Sequence, residues 1–150
     1  MQLREVRPAD NTAVRALVCK CLREFAIEAD FDGEDRAIGA FGNARDVRTF
    51  ERVVLLEEEV IACVALHGVT GENATLVGLY VHTNFRHQRI STAMISQIVI
   101  VAMKRGFRRF SADVRDDMGA AIYVLEKMGW KRDDNPAPGG RANRRYTLAL

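Results

Sequence analysis

The sequence predicts a single mixed α/β domain, and three observations support that prediction. Strand and helix patterns follow one another as a strand, a helix, a loop or short helices, three strands, a helix, a strand, a helix and two strands. An apolar strand, a helix and a second strand occupy residues 75–114, and such a unit places two parallel strands at the centre of a sheet. The length of 150 residues suits one domain, residues 1–150, with a core of its own.

The first segments follow from alternation and from helical spacing. Residues 2–7 alternate as a strand does, and Pro8 ends that strand. Asp10 is the predicted N-cap of an amphipathic helix whose apolar residues recur at helical spacing. These residues are Val14, Leu17, Val18, Cys21, Leu22 and Phe25.

Residues 31–49 have the least regular pattern of the chain. They contain three glycines and scattered aromatic residues, and short helices are predicted over 34–41 and 46–50. Two interpretations stay open for this region. It is a surface connection, or it is a wall over a substrate, because substrate-covering walls are rich in loops.

The remaining elements follow from apolar runs and from the glycines that end helices. In chain order they are strands over 52–56, 60–67 and 74–81, a helix over 91–105 closed by Gly106, a strand over 109–114, a helix over 119–128 closed by Gly129, a strand from 130, a loop over 133–141 and a strand over 145–150. The strand over 74–81 is apolar on both faces, so we expect it at the centre of the sheet. The link Glu57-Glu58-Glu59 lacks the glycine of a tight hairpin turn.

Composition argues against several classes of protein. The net charge of +2 is too small to indicate nucleic-acid binding by itself. No apolar run approaches the roughly 20 residues of a membrane span, and the first ten residues lack a signal-peptide core. We therefore expect a cytoplasmic protein that binds neither nucleic acid nor membrane. Cys19, Cys21 and Cys63 lack the spacing of a disulfide framework or a zinc site, so we expect no metal.

The turn between the predicted strand over 74–81 and the predicted helix over 91–105 has the chemistry of an anion site. The stretch LYVHTNFRHQRISTAMI, residues 79–95, runs from an apolar strand through a basic turn into an apolar helix. The first N–H groups of a helix lack partners, and its dipole is positive there. Arg86 and Arg89 add two positive charges, and Ser91 or Thr92 is the predicted N-cap. The turn therefore favours a phosphate or a pyrophosphate.

Two blocks of the sequence resemble the GNAT acetyltransferase superfamily. RHQRIS, residues 86–91, is similar to the acyl-CoA loop of that family, usually written Gln/Arg-x-x-Gly-x-Gly/Ala, and AIYVLEKMGW, residues 121–130, is similar to its A-x-x-L-Y-E-K-x-G-F segment. The resemblance extends over nearly the whole chain. It implies a mixed, mostly antiparallel sheet with a central parallel strand pair and flanking helices. It also implies acetyl-CoA or another acyl-CoA as donor and a primary amine of a small molecule or a protein as acceptor.

The resemblance implies a set of site residues as well. The strand ahead of the loop should separate from its neighbour, and the backbone N–H of Val81 should then bind the thioester carbonyl and stabilise the oxyanion. Backbone amides from His87 to Thr92 should hold the pyrophosphate. The residues expected to bind the donor are Leu79, Tyr80, Val81, Arg86, His87, Gln88, Arg89, Ile90, Ser91 and Thr92. A homodimer through the C-terminal strands is a further expectation at the level of the family.

The chain departs from the family pattern at several positions. Arg89 and Ser91 stand where glycine is usual, and Met118 stands near a frequent asparagine. Leu125 occupies the position where many relatives carry the tyrosine that protonates the leaving thiolate, and Tyr123 lies about 200° away around the helix. General acid help is worth roughly 10²–10⁴ in rate, so its loss should slow the transfer.

No general base is evident, and three functions stay open. His67, His82 and Glu72 are candidate bases, and His82 lies just before the loop. The leading prediction is an acetyl-CoA-dependent N-acyltransferase, and the alternative is a non-catalytic acyl-CoA-binding or regulatory domain. A nucleotide- or nucleic-acid-binding module is a third possibility, which the lack of an interleaved aromatic stacking face disfavours.

Overall fold

The computed structural model describes residues 1–44, 46–133 and 140–150, which form one seven-stranded sheet with helices on both faces. In chain order the elements are β1 (Gln2–Glu5), α1 (Asn11–Arg23), α2 (Arg36–Gly39), β2 (Thr49–Leu56), β3 (Glu59–Gly68), β4 (Asn73–Val81), α3 (Ile90–Lys104), β5 (Arg109–Val114), α4 (Gly119–Lys127), β6 (Lys131–Asp133) and β7 (Arg144–Ala149). The strand order is β1-β2-β3-β4-β5-β7-β6.

The sheet has the mixed topology that the sequence predicts. β4 and β5 are parallel, and every other neighbouring pair is antiparallel. The parallel pair is joined by α3, which crosses one face of the sheet. A helix of this length is the usual crossover connection between parallel strands. The prediction of a mostly antiparallel sheet with a central parallel pair is therefore confirmed, and β4 is its central strand.

Alternation along the central strands divides the core into two layers. On β3, the side chains of Cys63 and Ala65 pack beneath α1, whereas those of Val64 and Leu66 pack beneath α3. Successive side chains of a strand point to opposite faces, so one strand supplies both layers. The predicted apolar stripe of α1 is buried from Val14 to Leu22 and seals the first layer.

α3 is buried along one face only. One face of the helix lies in the core, but Ile100 and Met103 are 51% and 57% exposed. A single sheet can cover only one side of a helix, so apolar residues on the other side remain in solvent. The end of α3 agrees with the prediction, because Gly106 follows the last turn with a φ of +84°.

Other local predictions need correction. The helix predicted over 46–50 is absent, because Thr49 and Phe50 pair with β3 as the first residues of β2. Asp10 occupies the N-cap position of α1, but its carboxylate accepts the N–H of Arg7 at 2.7 Å and the guanidinium of Arg4. Most of the loop predicted over 133–141 lies outside the described residues. No described helix is long and apolar enough to cross a membrane.

The β2–β3 hairpin forms without the glycine that its turn favours. Glu57 and Glu58 both adopt positive φ, at +50° and +70°. Two-residue hairpin turns need this left-handed geometry because it matches the twist of the flanking strands. Pairing along the whole length of β2 and β3 therefore imposes on two glutamates a backbone shape that each adopts at some cost.

Glu51 is a buried carboxyl group whose ionisation should weaken the fold. Its Oε1 accepts the N–H of Gly42 at 3.0 Å, and its Oε2 is buried without a partner among the described residues. Burial raises the pKa of Glu51 above its ordinary value of 4.5. The folded state therefore holds the proton more tightly than the unfolded chain does. The tighter binding of this proton adds to the free energy of unfolding. The contribution is complete below pH 4.5 and is lost as pH rises through the raised pKa.

We therefore predict that Glu51→Gln gains stability relative to the wild type as pH rises. The glutamine stays neutral, so the difference between the two free energies of unfolding should grow between pH 4.5 and pH 8, to about 1 kcal/mol for each unit by which the pKa is raised. Urea denaturation at several pH values measures it. Stability curves that run parallel over this range would contradict the prediction.

Candidate active site

A cleft opens where β4 separates from β5. The two strands pair only from Asn73–Leu76 on β4 with Arg109–Ala112 on β5, and they diverge beyond Leu76. The gap has a volume of about 340 Å³. Its walls come from the second half of β4, the end of β5, the first turns of α4, the segment before and within α2, and residues 141–142. A cleft of this size admits the slender part of a small-molecule ligand.

The separation has a local cause in a β-bulge centred on Gly78. Cys63 of β3 lies opposite Tyr80, but Ala65 lies opposite Val77, so β4 carries one extra residue. Gly78 has a φ of +62°, and a Cβ there would lie 2.7 Å from Cδ1 of Ile38. Bulges increase the local twist of a strand. The bulge therefore turns the end of β4 away from β5, and only glycine fits at its centre.

The end of β4 directs a backbone N–H away from β3. The N–H of His82 donates to the carbonyl of Ile61 on β3 at 2.8 Å. Because the N–H groups of successive strand residues point in opposite directions, the N–H of Val81 points away from β3, toward the side that β5 has left. The carbonyl of Val81 points the same way and accepts the Nε–H of Arg86 at 3.1 Å. This orientation suits the role of oxyanion donor expected for Val81.

The basic turn is held in a strained shape before α3. His87 and Arg89 have φ values of +64° and +61°, and Arg89 is the N-cap of a helix that begins at Ile90. The prediction of Ser91 or Thr92 as the N-cap is therefore wrong. Both lie inside the first turn, where the backbone N–H groups of Ile90 and its two successors have no carbonyl partner within the helix. Ile90 itself is buried and anchors the turn.

We predict that Arg89→Gly stabilises the protein by about 1 kcal/mol. A residue with a Cβ pays roughly 1–2 kcal/mol in the left-handed region, and the extra freedom of glycine in the unfolded chain offsets part of that gain. Arg89→Ala is the matched control, because it removes the same charge and keeps the Cβ. Thermal and urea denaturation should find Arg89→Ala close to the wild type. Equal stability of the two variants would count against backbone strain at this position.

Arg86 does not point at the predicted anion site. Its guanidinium forms two hydrogen bonds to the carboxylate of Glu24 on α1, at 2.6 and 3.0 Å, besides the bond to Val81. The hydrogen bond to Glu24 is the main cause that raises the pKa of Arg86. The sequence suggested a fixed charge for a phosphate at this position. In the structure the side chain instead ties the turn to α1 and to the end of β4.

His82 is poorly placed to act as a base. Its Nδ1 accepts the N–H of Asn84 at 3.1 Å, and its ring packs edge-on against Phe85. A backbone N–H can only donate, so the neutral imidazole must carry its own proton on Nε2. His82 then presents a donor and no free acceptor. Its evident role is to shape the short 3₁₀ turn over Thr83–Phe85 that leads into the basic turn.

The other candidate bases lie outside the cleft, and the buried thiol of Cys63 is inert. His67 and Glu72 do not line the cleft. Burial lowers the pKa of His67, and Glu72 forms a loose, exposed ion pair with Arg108 at 3.4 Å. Cys63 is fully buried, burial raises the pKa of its thiol, and the thiol donates to the carbonyl of Gly78 at 3.2 Å. Within the described part of the chain, no cluster of three or more His, Cys, Asp or Glu could hold a metal.

The α4 wall of the cleft is apolar where a proton donor would be useful. Leu125 lines the gap and is 1% exposed. Tyr123 is 63% exposed, and the ammonium of Lys127 lies 5.6 Å from the centre of its ring. Tyr123 therefore faces solvent, as helical spacing predicts. Met118 precedes the helix and also lines the cleft.

Sequence patterns did not identify an ion pair at the opposite wall of the cleft. The guanidinium of Arg141 contacts both carboxylate oxygens of the buried Asp35, at 2.9 and 3.1 Å, and its backbone N–H donates to Glu34. Tyr80 also lines this wall. Burial, followed by the charge of Asp35, raises the pKa of Tyr80, so its phenol is protonated at neutral pH. Asp35 and Arg141 are more than 100 residues apart, so no local pattern could reveal the pair.

The chain was compared with known proteins. A family model described as the acetyltransferase (GNAT) family matches residues 12–130. No match was found among curated protein sequences. Many solved structures share the fold at low sequence identity.

Three of these structures illustrate the similarity. An acetyltransferase of the GNAT family from Staphylococcus aureus Mu50 has a TM-score of 0.87 at 14% identity, over 99% of this chain and 98% of that one. The PaiA N-acetyltransferase from Thermoplasma acidophilum, solved with coenzyme A, has a TM-score of 0.82 at 11% identity, over 99% and 98%. A ribosomal-protein-alanine N-acetyltransferase from Brucella melitensis has a TM-score of 0.78 at 17% identity, over the full length of both chains.

Proposed function

Because the chain belongs to the acetyltransferase (GNAT) family, whose members use acetyl-CoA, we propose that it transfers an acetyl or related acyl group from acyl-CoA to a primary amine of a small molecule or a protein. The observation that carries the proposal is the gap between β4 and β5, which opens toward the end of β4 that leads through the basic turn into α3. The gap offers a path for the slender thioester arm of acyl-CoA, and the first turn of α3 offers unpaired N–H groups for its pyrophosphate.

The proposed donor site uses the backbone more than side chains. The pyrophosphate lies against the N–H groups of Ile90, Ser91 and Thr92 and of the turn before them, where the helix dipole is positive. Arg89 contributes a charge-assisted contact to the same phosphates. Arg86 acts as a positioning residue, since its guanidinium holds the turn against Glu24. Leu79, Tyr80 and the remaining residues of the turn complete the predicted set.

The proposed chemistry is a direct attack of the amine on the thioester. The amine nitrogen forms a bond to the carbonyl carbon, and the Val81 N–H stabilises the oxyanion that results. The C–S bond then breaks, and the amine loses a proton while the departing thiolate gains one. Holding thioester and amine together contributes up to roughly 7–11 kcal/mol when the geometry is ideal. With Leu125 where relatives carry a tyrosine, we expect water to carry the proton and the transfer to be slow.

The alternative is a domain that binds acyl-CoA without transferring it. The observation that favours it is the apolar wall at Leu125, which places no hydroxyl beside the leaving sulfur. The structural neighbours do not share one named acceptor: two are named for a ribosomal protein and others are not. A homodimer and a cytoplasmic location remain predictions of the sequence.

One pair of measurements tests the proposal. Acetyl-CoA and CoA should raise the melting temperature, since a ligand at one hundred times its Kd stabilises the native state by about 2.7 kcal/mol, whereas ATP should not. Arg89→Glu, which places a negative charge beside the phosphates, should remove the effect. Release of CoA thiol with a panel of amines then identifies an enzyme. No shift with saturating acetyl-CoA would refute the donor, and a shift without thiol release would favour the binding domain.

A further inference from the structure

A second hollow lies at the end of the sheet opposite the cleft. It has a volume of about 430 Å³ and is lined by Val47, Arg48, Gly71, Arg105, Gly106 and Phe107. These residues come from the start of β2, the turn before β4 and the end of α3. The 15 residues of α3 span about 22 Å at roughly 1.5 Å per residue, and its other end carries the predicted pyrophosphate site. The hollow is therefore separate from the cleft.

Two guanidinium groups line this hollow without a carboxylate partner. Arg48 donates to the carbonyl of Gly71 at 2.8 Å, and its guanidinium lies 5.2 Å from the ring centre of Phe107. The guanidinium of Arg105 donates to the carbonyls of Val47 and Thr49, both at 3.4 Å. Neither guanidinium forms an ion pair within residues 1–44, 46–133 and 140–150. Both charges therefore face the hollow uncompensated.

A third guanidinium brings like charges close together. Arg52 and Arg105 lie over the ring of the same residue, Phe50, at 3.4 and 5.2 Å from its centre. Burial lowers the pKa of Arg52; Glu5 opposes this effect and the charge of Arg105 adds to it. Like charges in a partly buried setting repel each other. An anion bound at Arg105 would reduce that repulsion.

The acidic groups near the hollow do not pair with the guanidiniums of Arg48 and Arg105. The carboxylate of Asp46 accepts the backbone N–H of Arg48 at 2.8 Å, which leaves the guanidinium of that arginine unpaired. Glu72 pairs loosely with the exposed Arg108 outside the hollow. Arg48 and Arg105, whose side chains line the hollow, therefore suit a ligand that carries two negative charges.

We propose that this hollow binds the phosphate group of a small phosphorylated molecule, at a site separate from the acyl-CoA cleft. Guanidinium groups match the geometry of phosphate oxygens and form charge-assisted hydrogen bonds to them. The volume is that of a small-molecule site. Guanidiniums already lie over the rings of Phe50 and Phe107, so no ring is free to stack on a base, which disfavours a nucleic acid. The proposal does not depend on acyl transfer.

The test is an amide chemical-shift titration of the full chain with inorganic phosphate. Sodium chloride at matched ionic strength is the reference, and the titration is repeated with saturating acetyl-CoA. We expect saturable shifts at residues 47–49, 71 and 105–107, unchanged by acetyl-CoA. Ribose 5-phosphate should produce the same shifts with equal or higher affinity. Shifts confined to residues 86–92, or shifts that acetyl-CoA abolishes, would overturn the second site.

Matched variants separate a built site from general positive charge. Arg105→Gln should weaken phosphate binding at least tenfold, and Arg48→Gln gives an independent check if the first variant is unstable. Arg108→Gln removes the same charge from the same end of the sheet but does not line the hollow, so affinity should stay within twofold. An equal loss in Arg108→Gln would overturn the proposal, as would a single-stranded oligonucleotide that binds these residues more tightly than ribose 5-phosphate.

Discussion

Gly78→Ala should lower the rate of acyl transfer by tenfold to a hundredfold and destabilise the protein by about 2–5 kcal/mol. The added Cβ would lie 2.7 Å from Ile38 and 3.2 Å from Phe41, both of which are buried. Strain in the left-handed region contributes roughly 1–2 kcal/mol, and overpacking contributes about 1–3 kcal/mol. Relief of the clash displaces β4 or the side chain of Ile38, which also lines the cleft, and a shift of about 1 Å at a reacting group can cost a hundredfold in rate.

Gly129→Ala is the control for this prediction. Gly129 also has a positive φ, at +90°, but no atom lies within 4 Å of the position of its Cβ. The variant therefore carries backbone strain without the clash, and we expect a loss of about 1–2 kcal/mol with activity retained. Urea denaturation and thiol release measure the two effects separately. Equal losses of activity in the two variants would show that the bulge does not position the cleft.

Leu125→Tyr should raise the rate of acyl transfer by roughly a hundredfold or more. The side chain of Leu125 lines the cleft, and a phenol at this position would supply the proton that the leaving thiolate needs. General acid catalysis is worth roughly 10²–10⁴ in rate. The site is 1% exposed, so a larger ring overpacks it at a cost of about 1–3 kcal/mol. The expected result is therefore a faster but less stable enzyme.

Leu125→Phe separates the hydroxyl from the ring. Phenylalanine brings nearly the same volume and overpacking but no proton, so it should be as destabilised as the tyrosine variant and no faster than the wild type. Initial rates of thiol release at saturating acetyl-CoA make the comparison. A decline in the rate of Leu125→Tyr at high pH would support proton donation by the phenol. Equal rates for the two variants would exclude Leu125 as the cause of slow transfer.

Many features of the fold follow from neighbouring residues and were predictable. The bounds of β3 and β5, the end of α3 at Gly106 and the central position of β4 depend on periodicity and on helix-ending glycines. The parallel pair follows from the strand–helix–strand unit. A connection of that length returns the chain to the end of the sheet where the first strand begins, so the second strand runs parallel to the first. The resemblance to the family implied a glycine position at residue 89, and Arg89 adopts the left-handed conformation there despite its Cβ.

Other features depend on strand pairing and could not be read locally. The segment 46–50 resembles a helix by itself, but pairing of Thr49 and Phe50 with β3 draws it into the sheet. The helix start at Ile90 likewise depends on the burial of that side chain in the core, which outweighs the capping preference of Ser91 and Thr92. In both cases the free energy gained by tertiary packing outweighs the local conformational preference of the segment.

The sequence by itself determined the family resemblance, the order of the elements and the position of the basic turn. Only the tertiary structure decided where the charges lie: Arg86 on Glu24, Arg141 on Asp35, and the guanidiniums of Arg52 and Arg105 on one ring. The physical reason is the range of the interactions. Periodicity and turn chemistry act over a few residues, whereas the partner of a long charged side chain depends on which distant segments the fold brings together.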